Sequence, residues 1–278
     1  MITRRDLSTE QAVAFIGGGN MASALIGGLI RDGLSATQIE VVEPMAEARA
    51  KLQAQFGITA REQAAPALRR AGLVVWAVKP QTFKTAAAQA RSHTASALHL
   101  SVAAGIRSDS IAQWLGTQRI VRSMPNTPAL IGKGITALYA RPGVSADDKH
   151  QVEQVIATTG ESLWVDQEVQ LDAVTALSGS GPAYVFFFLE AMTQAGVEMG
   201  LTREQAYQLS LATFAGASEL ARASDDSPEV LRQRVTSKGG TTHAAISAME
   251  QDQVQALFVK ALRAAQQRAK ELGDEFGA

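Results

Sequence analysis

Five apolar residues, Ala12-Val13-Ala14-Phe15-Ile16, run directly into three glycines, Gly17-Gly18-Gly19, and then into a helix-forming stretch that opens at Met21. This junction constrains the fold more than any other part of the chain. A strand that ends in a glycine turn and reverses at once into a helix is the opening of a β-α-β crossover. The rhythm then repeats. Ile39–Val42 reads as a second strand and Ala46–Phe56 as a helix, while Leu73–Val78, Leu98–Val102 and Arg119–Arg122 read as three further strands. Ile135–Tyr139 and Ser162–Val165 follow, with a helix near Ala146–Thr158 between them. Strands alternating with helices predict an α/β domain over residues 1–166, with a doubly wound, mainly parallel sheet.

From about Val169 the β-type runs stop. Residues 167–278 are expected to form an all-α domain, with helices over Asp172–Met199, Arg203–Ala223, Glu229–Val235, Thr241–Gln251 and Gln253–Leu272. One segment, Tyr184–Leu189, is apolar around the whole helix, whereas a surface helix keeps one polar face. Two explanations stand. A second subunit covers the outer face and makes an intertwined helical dimer, or this helix is the central core of a small domain.

Composition removes several chemistries. The chain has no cysteine, which excludes disulfides, thiolate catalysis and Cys-based metal sites and fits a reducing compartment. His93, His99, His150 and His243 lack ligand-like spacing, so no metal site is expected. A net charge of −1 with no Lys/Arg block gives no reason to expect a nucleic-acid partner. No apolar run reaches about 18 residues, so no membrane span is expected. No apolar segment follows the Met1–Asp6 start, and the cytoplasm is the simplest location.

The glycine turn fits G-x-G-x-x-A through Gly17, Gly19 and Ala22. In a first βα junction, the first glycine permits the turn and the second lets the backbone approach a pyrophosphate. The alanine allows close helix–strand packing. The helix that begins at Asn20-Met21 would offer its free N–H groups, and Gly17, Gly18, Gly19, Asn20 and Met21 are the expected cofactor contacts. The second strand ends in Glu43, whose carboxylate would accept the ribose hydroxyls and repel a 2′-phosphate. Arg49 reads either as a phosphate partner or as a solvated helix face. On these residues NADH is as well supported as NADPH. Val78-Lys79-Pro80 and Ala103-Ala104 follow later strands and would also face the ligand edge, with Lys79 either a cofactor contact or a surface lysine. Asn126, between Pro125 and Pro128, reads as a carboxamide contact or as a turn residue.

Two places in the helical half leave backbone and hydroxyls bare. Ala176–Ala183 contains Gly179, Gly181 and Pro182 and reads as a ligand-approach segment, or as a loop with Ser180 capping the next helix. Val235–His243 carries four hydroxyls and two glycines, and reads as a cradle for a small carboxylate or as a Gly239 C-cap followed by a Thr N-cap. Lys238 and His243 read as surface residues.

Four motifs together resemble the pyrroline-5-carboxylate reductase family: Phe15–Ala22, Arg122–Ala129, Leu177–Tyr184 and Val235–Thr242. They follow one another in the family's order across nearly the whole chain. The resemblance implies a Rossmann domain and a helical domain that dimerises by interleaving, with decamers in many members. It implies reduction of 1-pyrroline-5-carboxylate to L-proline with NADPH or NADH, the last step of proline synthesis. It implies that the substrate carboxylate sits on Ser237, Gly239, Gly240, Thr241 and Thr242. A helix carrying Glu168, Asp172 and Thr175 would approach the imine, with Thr175 bonding the ring nitrogen. Lys238, Glu43 and Met45 depart from the family's usual residues, and the last two leave the cofactor preference open. A β-hydroxyacid dehydrogenase would need a lysine base on the interdomain helix, and no lysine lies between Lys149 and Lys238. A broader imine reductase and a non-catalytic dinucleotide sensor remain as rivals.

Overall fold

The structure is a computed structural model that describes residues 12–277, so the reading of Met1–Asp6 lies outside the described residues. The first part alternates strands and helices: β1 (Ala12–Ile16), α1 (Asn20–Arg31), β2 (Ile39–Val42), α2 (Ala46–Phe56), β3 (Ala71–Trp76), α3 (Pro80–Thr94), β4 (Leu98–Ser101), α4 (Ser108–Leu115), β5 (Ile120–Met124), β6 (Gly134–Ala140), α5 (Ala146–Ala157) and β7 (Gly160–Trp164). The strands form one seven-stranded sheet in the order β2-β1-β3-β4-β5-β6-β7. β1 to β5 run parallel, and β7 runs parallel to β6. β5 and β6 are antiparallel. Residues 125–133 join them through a short 3-10 turn, and a parallel pair would need a longer crossover.

Strand alternation builds two cores. Val13 and Phe15 of β1 and Leu73 and Val75 of β3 face one side, where they meet Leu25, Ile26 and Leu29 of α1 and Val152 and Val155 of α5. Ala14, Ile16, Val74 and Trp76 face the other side, against Phe83 and Ala87 of α3 and Ile111 of α4. Both faces of β1, β3 and β4 are covered, as a doubly wound sheet requires, while the edge strand β7 stays largely exposed. β3 ends at Trp76, two residues earlier than the sequence implies, because Pro80 opens α3 and Lys79 is its extended N-cap.

The remaining elements are α6 (Gln170–Val174), a single π turn (Thr175–Gly179), α7 (Gly181–Glu198), α8 (Arg203–Arg222), α9 (Pro228–Arg234), α10 (Thr241–Gln251) and α11 (Val254–Phe276). The chain divides into two compact units. One comprises residues up to Ser180 with those from Ala265 onward, and the other is Gly181–Ala264. Among the described residues no helix is long and apolar enough to cross a membrane.

In the second unit α7 packs on α8, and Tyr184 and Phe188 meet Phe258 edge-on at 5.8 and 5.5 Å. Phe186 and Phe187 are 59% and 67% exposed, and Leu209 and Leu257 are similarly bare. A central core helix would bury them, so that explanation of the Tyr184–Leu189 run fails. An open groove of about 840 Å³ lies along this face, lined by Phe186, Phe187, Leu189 and Tyr207. A single chain that leaves this much apolar surface bare carries the mark of an association surface.

His99 sits inside the sheet at 1% exposure and accepts a 3.0 Å bond on Nδ1 from the Trp76 indole N–H. Burial, helped by the nearby charge of Arg119 and opposed by the Thr94 backbone, lowers its pKa to about 4. The folded state therefore binds this proton more weakly than the unfolded chain. The stabilisation is complete above about pH 6.5 and is lost as pH falls towards 4, amounting to about 3 kcal/mol. Urea titrations of the wild type and His99→Asn at pH 7.5, 5.5 and 4.5 should show the wild type losing stability more steeply. Parallel pH dependences would remove His99 from the acid transition.

Candidate active site

The turn after β1 is built from backbone. Gly17 has φ +100°, and a Cβ there would lie 2.4 Å from the Ala77 carbonyl oxygen. Its N–H bonds Val42 O at 2.8 Å, and the Ala77 N–H bonds Ile16 O at 2.8 Å, so the turns after β1, β2 and β3 are stitched together. Gly17 and Gly18 are buried, Gly19 and Asn20 are exposed, and Met21 is half-buried. Ala22 is fully buried, as close helix packing demands.

Gly19 is different. It is the N-cap of α1 in an ordinary extended conformation (φ −72°), and a Cβ there would meet nothing within 4 Å. Protein packing does not require a glycine at this position, and its absence of a side chain leaves the backbone open to a ligand's approach. The α1 N-terminus also has no side-chain cap and no acidic residue in its first turn. Free N–H groups and a positive dipole end facing an open space fit a dinucleotide pyrophosphate.

Glu43 closes this turn from beneath. Its Oε2 accepts the Gly18 N–H and its Oε1 the Met45 N–H, both at 2.8 Å, and the residue is 8% exposed. The carboxylate thus fastens the glycine turn to the end of β2. Its remaining lone pairs can still accept hydroxyls. Arg49 is neither a solvated helix face nor a free phosphate partner: its Nη1 donates to the carbonyls of Glu43 and Pro44 at 2.9 and 2.6 Å. Val78 and Pro80 are half-buried around exposed Lys79. Ala103 is buried and held by a 3.3 Å bond from its N–H to Ser101 Oγ, next to half-buried Ala104. Asn126 Oδ1 accepts the Ile135 N–H at 3.0 Å, which ties the proline turn to β6. These turns all follow the carboxyl ends of the parallel strands, where open α/β sheets bind ligands.

α6 packs against β5 and β6 of the same sheet. Ser180 adopts helical angles (φ −84°, ψ −15°), and its N–H bonds Thr175 O at 2.8 Å. It is not an N-cap: a widened turn carries the helix past Pro182 instead of breaking it. The Met124 side chain sits over Gly179, where a Cβ would lie 2.4 Å from Met124 Cε unless that flexible side chain moved. Half-buried Thr175 donates its hydroxyl hydrogen to Leu171 O at 2.7 Å. Its oxygen is left as an acceptor only.

The residues around α6 form a charge network that sequence reasoning missed. Asp172 takes a bidentate pair from Arg107, at 3.0 and 2.9 Å. Glu168 accepts Ser108 N–H, Ser108 Oγ–H and Arg122 Nη1–H, all at 2.6 Å. Burial alone would raise the Glu168 pKa, but the Arg122 charge and the Ser108 donors hold it below the usual range. Glu168 is thereby engaged within the protein. Arg122 appeared in a quoted motif and Arg107 in none; a charged residue buried inside β5 and one in the loop before α4 carry no local pattern that names their partners.

In the helical unit, Gly239 has φ +78° and Gly240, not a threonine, is the N-cap of α10. The Gly240 N–H bonds Ser237 O at 3.0 Å, which folds Ser237–Thr242 into a tight turn. No side chain caps α10. Ser237, Gly239 and Thr241 are exposed and Gly240 and Thr242 half-buried, so the turn offers hydroxyls and free N–H groups to an anion. Lys238 and His243 are exposed, as read.

The two glycines make opposite predictions. Gly19→Val should fold with stability within about 1 kcal/mol of wild type, yet bind a dinucleotide at least about ten times more weakly. Gly17→Ala should instead lose about 1–3 kcal/mol of stability. Thermal melts and fluorescence titration check both; a Gly19→Val protein with wild-type dinucleotide affinity would contradict the cradle.

A family model described as pyrroline-5-carboxylate reductase dimerisation matches residues 168–272, and one described as NADP oxidoreductase, coenzyme F420-dependent, matches residues 12–105. The chain is 48% identical to a pyrroline-5-carboxylate reductase of Pseudomonas aeruginosa over 267 residues, covering 95% of this chain and 98% of that protein. A solved pyrroline-5-carboxylate reductase of Coxiella burnetii superposes with a TM-score of 0.88 at 38% identity, covering 95% of this chain and 98% of that one. The Plasmodium falciparum pyrroline carboxylate reductase, solved with NADP bound, gives 0.85 at 27% identity, covering 95% and 99%. With that identity over nearly its whole length, and a glycine turn and helical half of matching kind, the chain belongs to the pyrroline-5-carboxylate reductase family.

Proposed function

We propose that this chain reduces 1-pyrroline-5-carboxylate to L-proline with NADPH or NADH, the final step of proline synthesis. The observation that carries the reading beyond family membership is the state of Thr175. Its hydrogen is committed to Leu171 O, so its oxygen can accept an N–H but cannot donate one. A protonated cyclic imine presents such an N–H, and its carbon accepts hydride without a strong acid from the protein. When bound, the reduced nicotinamide supplies that hydride. Gly17, Gly18, Gly19, Asn20 and Met21 would hold the pyrophosphate, with Glu43 latching the turn and reaching the ribose. Val78, Lys79, Pro80, Ala103, Ala104 and Asn126 would line the same edge. Ser237, Gly239, Gly240, Thr241 and Thr242 take the substrate carboxylate. Thr175 accepts the nitrogen's N–H as the ring becomes an amine, while Glu168 supports the substrate side through Ser108 and Arg122. Catalysis is chiefly positioning, which can be worth about 7–11 kcal/mol.

On this reading residues 1–166 are the dinucleotide domain and residues 167–278 the substrate and dimerisation domain. The match of the dimerisation model from residue 168 supports that boundary. The bare faces of Phe186, Phe187, Leu209 and Leu257 support an interleaved homodimer, from which decamers would be built. The cysteine-free sequence fits work in the cytoplasm.

Steady-state oxidation of NADH and of NADPH with pyrroline-5-carboxylate tests the proposal. Turnover is expected with at least one; cofactor binding without turnover would favour a sensor. Thr175→Val should lower kcat by about 10–100-fold, the worth of a hydrogen bond to a charged group. Thr242→Ala should chiefly raise the KM for the imine. An unchanged kcat in the first, or an unchanged KM in the second, would remove that residue from its role.

A further inference from the structure

We propose that Arg107 and Asp172 are positioning residues that orient the Thr175 hydroxyl towards its substrate. This rests on the role given to Thr175 above. α6 is the five-residue start of a helix that widens into a π turn at Thr175, where the regular hydrogen-bond ladder is interrupted. An anchor ahead of that widened turn fixes how it presents Thr175. Asp172 supplies one: both its oxygens accept from one guanidinium, at 3.0 and 2.9 Å, and it is 6% exposed. A bidentate fork fixes direction as well as distance.

The anchor acts through a short covalent path. Asp172 adjoins Leu171, and Leu171 O takes the Thr175 hydroxyl hydrogen at 2.7 Å. Holding the Asp172 side chain therefore holds the carbonyl that decides where the Thr175 lone pairs point. At the other end, Arg107 is the N-cap of α4, two residues beyond Gly105 (φ +71°) and in the same loop as Ala103 and Ala104. Its guanidinium is pressed against α11, where a Cβ on Gly273 would lie 2.7 Å from Arg107 Nε. One ion pair thus joins the loop expected to face the hydride donor to the hydroxyl expected to face the acceptor. The Ser108–Glu168–Arg122 contacts run beside it as a second tie between the same loop and the approach to α6.

The test uses the full-length chain. Removing one partner alone would strand a buried charge, so the main variant is the double Arg107→Met/Asp172→Leu, which removes both charges and keeps side-chain bulk. It should fold and bind the reduced dinucleotide within about threefold of wild type. Its kcat should fall by about 10–100-fold, as expected when reacting groups are displaced by a fraction of an ångström to an ångström. The primary isotope effect on kcat with dinucleotide deuterated at nicotinamide C4 should rise, because hydride transfer becomes slower relative to the other steps. In a Thr175→Val background the double change should cost almost nothing more. Should the double variant fail to fold, Arg107→Lys keeps the charge but not the fork, and it should show the same lowered kcat and raised isotope effect. A folded double variant, or Arg107→Lys, with wild-type kcat and isotope effect would overturn the proposal. So would a loss that adds in full to that of Thr175→Val. If Thr175→Val itself retains wild-type kcat, the Thr175 assignment falls and takes this proposal with it, an outcome distinct from failure of the ion pair alone.

Discussion

The turn after β1 lies so close to the turn after β3 that no side chain fits between them, and the edge of the sheet depends on that closeness. The Ala77 carbonyl stands where a Cβ of residue 17 would be, and Gly17 meets it with a left-handed backbone. Because the turns can touch, Gly17 reaches Val42 O, Ala77 reaches Ile16 O and Val102 reaches Trp76 O. Four parallel strands thereby end in one stitched backbone edge, and α1 starts from it with its N–H groups uncovered. Glu43 adds a side-chain fastening on the buried side, and leaves the open side of Gly19 free.

The same device occurs twice. α1 and α10 both begin at a glycine N-cap with no capping side chain, with a positive-φ glycine (Gly17 or Gly239) one or two residues earlier. An uncapped helix start costs stability that a Ser or Asp would supply. Keeping both bare is the natural arrangement for two anions, a pyrophosphate and, in the function proposed, a substrate carboxylate. Charge is concentrated elsewhere: Arg107, Arg122, Asp172 and Glu168 neutralise one another around α6.

The strands and the first helix were legible because doubly buried strands read as continuous apolar runs and because a glycine turn has a local signature. Tyr184–Leu189 was legible as a face in need of a partner for the same reason, since a helix apolar on all sides cannot be satisfied by a small unit. What could not be read depended on distant residues. Glu43 fastens a glycine 25 positions away, and Arg107 finds Asp172 across 65. Charged residues in loops carry no pattern that names their partner. Ser180-Gly181-Pro182 looked like a helix break, and local propensity supports that. The structure instead keeps helical angles through a π turn, with the Met124 side chain seated over Gly179. Asn126 and Arg49 lean towards backbone roles for a similar reason: each meets an orphan N–H or carbonyl that only the folded turn creates.

The central claim is that this chain moves a hydride from a reduced nicotinamide to the imine carbon of a cyclic amino acid. The most direct measurement follows the atom. Dinucleotide carrying deuterium at nicotinamide C4 is turned over with 1-pyrroline-5-carboxylate, and the product is examined by NMR. The account predicts proline with one deuterium at the δ carbon, delivered to a single face. Proline without deuterium, deuterium scrambled over both faces, or cofactor that binds but is never oxidised would contradict it.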